Sequence, residues 1–371
     1  MTTYKAIGLM SGSSLDGLDI AYCTFQVADD HRILAWEIKQ ATTIPYTAAW
    51  QERLSTLPEA SALTLAQTHV AFGELIGGMT RAFIDQHGLY PDFIASHGHT
   101  VFHFPRQKLS LQIGEGAAIA AATSCKVICD FRTQDMAFGG QGAPIAPTAD
   151  RYLFGEYDCC LNLGGIANLS VKTPTTYVAF DICGANQILN ALVKPLGLPY
   201  DDGGQLSATG QLLPALWEKA YQLDFFKQAY PKSLGNDWVK AEQVAPFLAF
   251  DGPVQDKLFT ATKLIAQLIA DHLEQVRKKE KHLDKPLKML VTGGGAFNQF
   301  LISAIQEACG PHVLIELPSP MVIGFKESLL MALMGVLRVR QRVNCMANVT
   351  GAMQDSVNGA LYEIASMNPT H

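Results

Sequence analysis

The chain has 371 residues, 48% hydrophobic and 17% charged, with a formal net charge of −6. That length suits one large or, more readily, two medium domains with real cores. The acidic balance, interrupted only by KKEKH near position 280, argues against nucleic-acid binding through bulk charge. No uninterrupted apolar run of about 18 residues and no basic-then-apolar N-terminus is present, so neither a membrane span nor a signal peptide is expected.

Three successive strands are predicted at 4–10, 18–27 and 32–42. Between the first two lies SGSSLDG: Ser11, Gly12, Ser13, Ser14, Leu15, Asp16 and Gly17, with Leu18 and Asp19 opening the next strand. Such a turn can aim several backbone N–H groups at one point, a nest for phosphate oxygens, with serine hydroxyls as further donors. Asp16 and Asp19 can hold Mg²⁺ through carboxylate oxygens. An ordinary hairpin loop is the alternative.

Residues 49–87 read as a helix, with Leu54, Leu57 and Leu63 early and Ala71, Leu75, Ile76 and Phe83 later. Strands follow at 92–96 and 126–131, separated by LQIGEGAAIAAAT, a short strand and a helix. The segment Ser96–His103, SHGHTVFH, carries His97, His99 and His103. In extended backbone all three would share a side, which suits a metal site or, better, hydrogen bonding to a polar substrate. Arg132 follows an apolar strand in Asp130-Phe-Arg132, where a guanidinium can clamp a carboxylate or phosphate, or simply form a salt bridge. The next stretch, GGQGAP, is too glycine-rich for regular structure.

The pattern then restarts. DCCLNLGGIANLSV is two short strands around a Gly-Gly turn, with Asn162, Gly164, Gly165 and Asn168 able to approach a ligand closely. TYVAFDIC is a third strand, and Asp181, closing TYVAFD within it, is a candidate general base. In the helix 256–280, Leu258, Ala261, Ile265, Leu268 and His272 fall on one face. LKMLVTGGG is a strand running into Gly293, Gly294 and Gly295, then Asn298 and a helix at 297–308. These glycines can lie flat against a planar ligand, or form a plain tight turn. HVLIEL is a strand and 325–340 a helix, with Glu327 near its start, a substrate contact or merely a dipole-favoured acid. The eight cysteines sit largely in predicted strands, as reduced core thiols of a cytoplasmic protein do.

Each half therefore opens with three adjacent strands and then alternates helix and strand, unlike a dinucleotide-binding βαβ start. The expected fold is α/β, a duplicated mixed-sheet domain with a ligand cleft. The first domain would cover 1–128, completed by 345–371, and the second 129–344.

In this order GLMSGSSLDGLD, SHGHTVFH, LQIGEG, DFRTQDMAFGGQGAP, NLGGIANLS and VTGGGAFN resemble the 1,6-anhydro-N-acetylmuramic acid kinase family, across nearly the whole chain. The resemblance implies two ribonuclease-H-like domains of the actin-like ATPase superfamily, with a central nucleotide cleft. It implies ATP and Mg²⁺ as cofactors, an amino sugar as substrate, cytoplasmic peptidoglycan recycling and a homodimer. It implies that Asp181 activates water and that Arg132 binds substrate or stabilises charge. His97 and Glu327 become sugar-site residues. Gly12–Asp19 and Asn162–Asn168 become two phosphate loops, and Gly293–Gly295 the adenosine motif.

The chain departs from the family pattern in places. Ile182-Cys183-Gly184-Ala185-Asn186 stands where Thr-Gly-Pro-Gly-Asn is usual, Ser13 where threonine is usual, and Phe325-Lys326 where acidic residues precede the glutamate. Competing readings are a kinase for another sugar, an actin-like ATPase or chaperone, and a metal-dependent hydrolase built on SHGHTVFH.

Overall fold

The computed structural model describes residues 1–12, 14–173, 177–230, 232–280 and 285–364. Its strands are β1 Thr2–Ser11, β2 Gly17–Val27, β3 Ile33–Pro45, β4 Phe93–Phe104, β5 Leu109–Ile113, β6 Val127–Cys129, β7 Cys159–Leu163, β8 Ile166–Lys172, β9 Tyr177–Gly184, β10 Leu287–Thr292, β11 Val313–Glu316 and β12 Ala360–Tyr362. Two compact units result, Met1–Leu153 with the chain from Phe325 onward, and Phe154–Gly324.

In the first unit the sheet order is β12-β6-β4-β1-β2-β3, with β5 paired to β4. β1, β2 and β3 form an antiparallel meander, and β4 and β6 add in parallel on the far side of β1. The second unit runs β11-β10-β7-β8-β9, with β7–β9 antiparallel and β10 and β11 added in parallel beyond β7. Both sheets thus follow one path, a three-strand meander and then two parallel strands beside its first strand. That is the duplication expected from the restart in the sequence.

The unit boundaries fall elsewhere than expected, at 153/154 and 324/325 instead of 128/129 and 344/345. The helix Pro147–Leu153 stays with the first unit, where Thr148 and Tyr152 donate to the carbonyls of Asn344 and Val343 at 3.0 and 3.1 Å. The helix Pro320–Val339 lies against β1 from Phe325 on, and Gly8 permits it. A Cβ at Gly8 would stand 1.7 Å from the Ser328 carbonyl oxygen, so only glycine allows that approach.

Periodicity correctly marks the apolar faces. Leu258, Ala261, Ile265, Leu268 and His272 of the helix Val254–Lys279 are all buried, in the core built on β7–β10. The single helix predicted over 49–87 is instead two, Ala48–Thr56 and Ala62–His87, parted by a turn holding Pro58. Thr47 and Ser61 cap them, accepting from the N–H of Trp50 and Thr64. The helix Pro320–Val339 is long and apolar enough to cross a membrane by length and composition, but 67% of its most apolar window is packed inside the protein. None of the eight cysteines forms a disulfide.

Candidate active site

In the first unit the loop between β1 and β2 is shorter than the sequence suggests. Ser11 still belongs to β1 and Gly17 already to β2, paired with Pro45, and the Leu18 side chain that follows is in the core. Ser13 lies outside the described residues. Within the loop Leu15 takes φ +59, and Ser14 Oγ donates to Asp16 Oδ1 at 2.6 Å. Asp19 Oδ1 accepts from Thr43 at 2.5 Å. Burial raises the Asp19 carboxyl, the Thr43 hydroxyl opposes this, and the negative charge of Asp16 raises it further.

Each of the two acids keeps a second oxygen, and their mutual repulsion is what a hard cation would relieve. They therefore fit a divalent ion that also takes oxygens from phosphate and water. Among the described residues no group of three or more His, Cys, Asp or Glu is placed to hold a metal by itself. The three histidines do not converge either. Gly98 at φ +73 turns the strand, so His97 meets Arg132, His99 lies 3.3 Å from Ser11 Oγ, and His103 lies 3.1 Å from Ser110 Oγ.

Arg132 sits after β6, where Asp130 adopts φ +57 and swings the chain out of the sheet. Its Nε donates to His97 Nε2 at 3.0 Å and its Nη1 to the Gly142 carbonyl of the irregular GGQGAP segment at 3.1 Å. His97 Nδ1 is 3.0 Å from the Gly98 carbonyl, which fixes it as the protonated nitrogen. Burial and then the Arg132 charge push the His97 pKa down to about 3, so the ring is a neutral acceptor. Both of its nitrogens are engaged within the unit. Burial also lowers the Arg132 pKa, against a contribution from Glu327 that raises it.

Glu327 lies in the first turn after the break at Phe325, where non-helical backbone divides the run Pro320–Val339 into two helical segments, so it stands near a helix start as expected. Desolvation raises its carboxyl, Asp19 adds to this, and Lys326 and Arg132 oppose it. Lys326 itself lies 3.2 Å from the buried Asp150.

In the second unit the glycine stations do come together. Asn162 pairs with Asn168 across β7–β8 and with Thr292 across β7–β10, while Asn168 pairs with Asp181 across β8–β9. Gly293 has φ +82, and a Cβ there would stand 2.8 Å from Asn162 Oδ1 and from the Leu163 backbone, so this corner requires glycine. Asn186 Nδ2 donates to the Leu163 carbonyl at 3.1 Å, and the Asn186 and Ala185 N–H groups bond the Gly164 and Gly165 carbonyls. Asn298 caps the helix Gln299–Cys309, accepting from Leu301 at 2.9 Å.

Gly294, Gly295, Asn298 and Asn186 border a cavity of about 500 Å³, also lined by Tyr200, Asp201, Asp202 and Gly203. That is within the roughly 300–1,000 Å³ of small-molecule pockets. The Asp201–Gly204 loop was not singled out in the sequence. Its signal was the acidic pair followed by a glycine pair, both glycines taking positive φ. Asp201 braces this loop by accepting from Leu206 N, Ser207 N and Ser207 Oγ. Asp181 lies within β9 rather than at its end, beside the register shift between Ala167 and Asn168 of β8, and is half-buried. Its Oδ2 accepts from Leu234 N at 2.8 Å, and burial raises its pKa against that N–H.

The sequence profile of the anhydro-N-acetylmuramic acid kinases matches residues 4–364. The chain belongs to the anhydro-N-acetylmuramic acid kinase family. Proteins so named in Hydrogenovibrio crunogenus and Synechococcus elongatus are each 32% identical to it, over 96% of this chain and 97% and 99% of theirs. One in Bordetella parapertussis is 34% identical over 96% of this chain and 95% of its own. The Ile182–Asn186 segment is packed internally. Ile182, Cys183 and Ala185 are buried, and the Gly184 N–H donates to Gln243 Oε1 at 2.7 Å.

Proposed function

We propose that this family member uses ATP and water to convert 1,6-anhydro-N-acetylmuramic acid into N-acetylmuramic acid 6-phosphate and ADP, in cytoplasmic peptidoglycan recycling. The observation that carries this reading is the family match across residues 4–364. The absence of a disulfide among the eight cysteines agrees with a reducing compartment.

Asp181 acts as the general base. Its uncommitted oxygen takes a proton from water as the water oxygen bonds to the anomeric carbon. The bond from that carbon to O6 breaks, O6 bonds to the γ-phosphorus, and ADP leaves. The raised pKa of Asp181 suits proton abstraction, and the Leu234 N–H keeps the carboxylate aimed. The cavity of the second unit takes the adenosine, and the Asn162–Asn168 and Gly12–Asp19 turns are phosphate loops. Arg132 neutralises charge that develops during transfer, through the Nη2 group left without a partner among the described residues. His97 acts through Arg132, and Glu327 contacts the sugar. Mg²⁺ held by Asp16 and Asp19 would neutralise phosphate charge.

Incubation with the anhydro sugar, ATP and Mg²⁺ in ¹⁸O-water tests this. Label is expected at the anomeric hydroxyl with phosphate on O6. ADP release without sugar phosphate would refute the reading and favour an ATPase.

A further inference from the structure

Asp181 is held from outside its sheet. Its backbone N–H donates to the Lys232 carbonyl at 3.0 Å, and its Oδ2 accepts from Leu234 N at 2.8 Å. The segment 232–234 therefore grips the residue at its backbone and at its carboxylate. What fixes that segment lies beneath it.

The Lys232 side chain is turned inward and is only 9% exposed. Its ammonium stands 2.8 Å from His272 Nε2, 2.9 Å from the Phe225 carbonyl and 3.4 Å from the Phe226 carbonyl, over the Phe225 ring at 4.5 Å. Three donors thus meet three acceptors, none of them a carboxylate. His272, 1% exposed on the helix Val254–Lys279, has Nδ1 2.7 Å from the Leu268 carbonyl. Its Nδ1 hydrogen is committed there, so Nε2 is an acceptor for the lysine. Phe180, next to Asp181, stacks on Tyr230 at 4.9 Å and tilts against the His272 ring at 6.0 Å.

We propose that Lys232 and His272 form a buried bolt that positions Asp181, tying the segment that holds the carboxylate to the long helix of the second unit. The proposal rests on Asp181 being the base. A buried ammonium is costly, and an apolar side chain of that length would serve stability better. What the lysine supplies instead is direction. Three bonds at its tip fix a backbone whose next N–H but one meets the carboxylate. Burial brings the Lys232 pKa down to about 8, so at neutral pH all three donors are in place. The ionisable groups around this array include Cys183, whose thiol burial raises and the Lys232 charge opposes, Asp271, beside His272, and Tyr230, over whose ring Lys279 stands at 4.1 Å.

The test is steady-state kinetics of the full chain over pH, with three variants. In Lys232→Met the segment loses its anchor and the carboxylate loses a reliable N–H partner. kcat should fall roughly 10–100-fold with the ATP KM little changed, because only the reacting geometry is loosened. The acid limb of kcat should move to higher pH, because the N–H favours the ionised form. His272→Leu should behave alike, whereas His272→Gln, which restores an acceptor for the lysine, should stay within about threefold of wild type. Wild-type kcat in both Lys232→Met and His272→Leu, or a fall in rate with an unmoved acid limb, overturns the proposal. If Lys232→Met does not fold, the His272 pair decides. Asp181→Asn in the same assay separates the two ideas. Full activity there removes the base assignment itself, whereas an inactive Asp181→Asn beside a wild-type Lys232→Met removes only the bolt.

Discussion

The two units run their strands along one path and carry opposite kinds of chemistry. The first gathers charge, with Arg132, Glu327, Asp16 and Asp19 close enough to move one another's pKa values or linked through a shared neighbour. The second offers amides, glycines and an open cavity, with Asp181 as a carboxylate whose shift comes from burial and one N–H. A repeated scaffold thus settles where turns emerge, while the residues on each turn settle what they do. The charged unit suits phosphoryl chemistry, and the quieter one suits a nucleoside and a base that must stay reactive.

The harshest challenge to that division is Asp181→Asn. Loss of the base should cost on the order of 10²–10⁴-fold in kcat. ATP binding, measured by calorimetry, should remain near wild type, because Asp181 does not line the cavity. A variant that kept more than about a tenth of the rate would break the division of labour outright.

The first unit is challenged at Arg132. Arg132→Lys keeps a charge but loses the planar fork and the Nε donor to His97. A loss of about 10²–10³ in kcat is expected, as for removal of one preorganised charge stabiliser. His97→Gln, which retains an acceptor, should cost less than His97→Leu. With a pKa near 3 the imidazole stays neutral from pH 5 to 9, so neither variant should remove a limb near the usual histidine value of 6.5 from the pH–rate profile. Disappearance of such a limb would mean that the ring exchanges protons.

How far these assignments could be read without coordinates differs between the units for a physical reason. The glycine stations were legible because Gly293 and the Asn162–Asn168 turn signal close approach in local sequence. The place of Arg132 beyond a strand was legible because an apolar run precedes it. The duplicated strand path was legible because each half repeats three strands before alternating. The unit boundary was not, because the approach of Ser328 to Gly8 joins residues hundreds of positions apart. The role of His97 was obscured because a positive φ at Gly98 breaks the alternation assumed for SHGHTVFH. His272 was correctly placed on a buried face, but its partner Lys232 lies 40 residues away in irregular chain, where no periodicity could pair them.

The smallest expected effect sharpens the comparison most finely, because it separates a catalytic carboxylate from a structural one. Burial raises the Asp181 pKa above its ordinary value of 3.8, so the native state holds the proton more tightly than the unfolded chain. The sign then follows from linkage. Below 3.8 both states are protonated and the group is neutral in its effect. As pH rises through the folded pKa, the buried charge makes the native state relatively less stable. Asp181→Asn, whose amide oxygen can still accept from Leu234 N, should therefore melt higher than wild type at pH 7, by about 1–3 °C for a protein of this size. The difference should hold at pH values above the folded pKa and vanish as the pH is lowered from there toward 3.8. A carboxylate that stabilised its unit through pairing would show the reverse, with the variant melting lower at pH 7. That outcome would make Asp181 part of the scaffold and leave the second unit without a base.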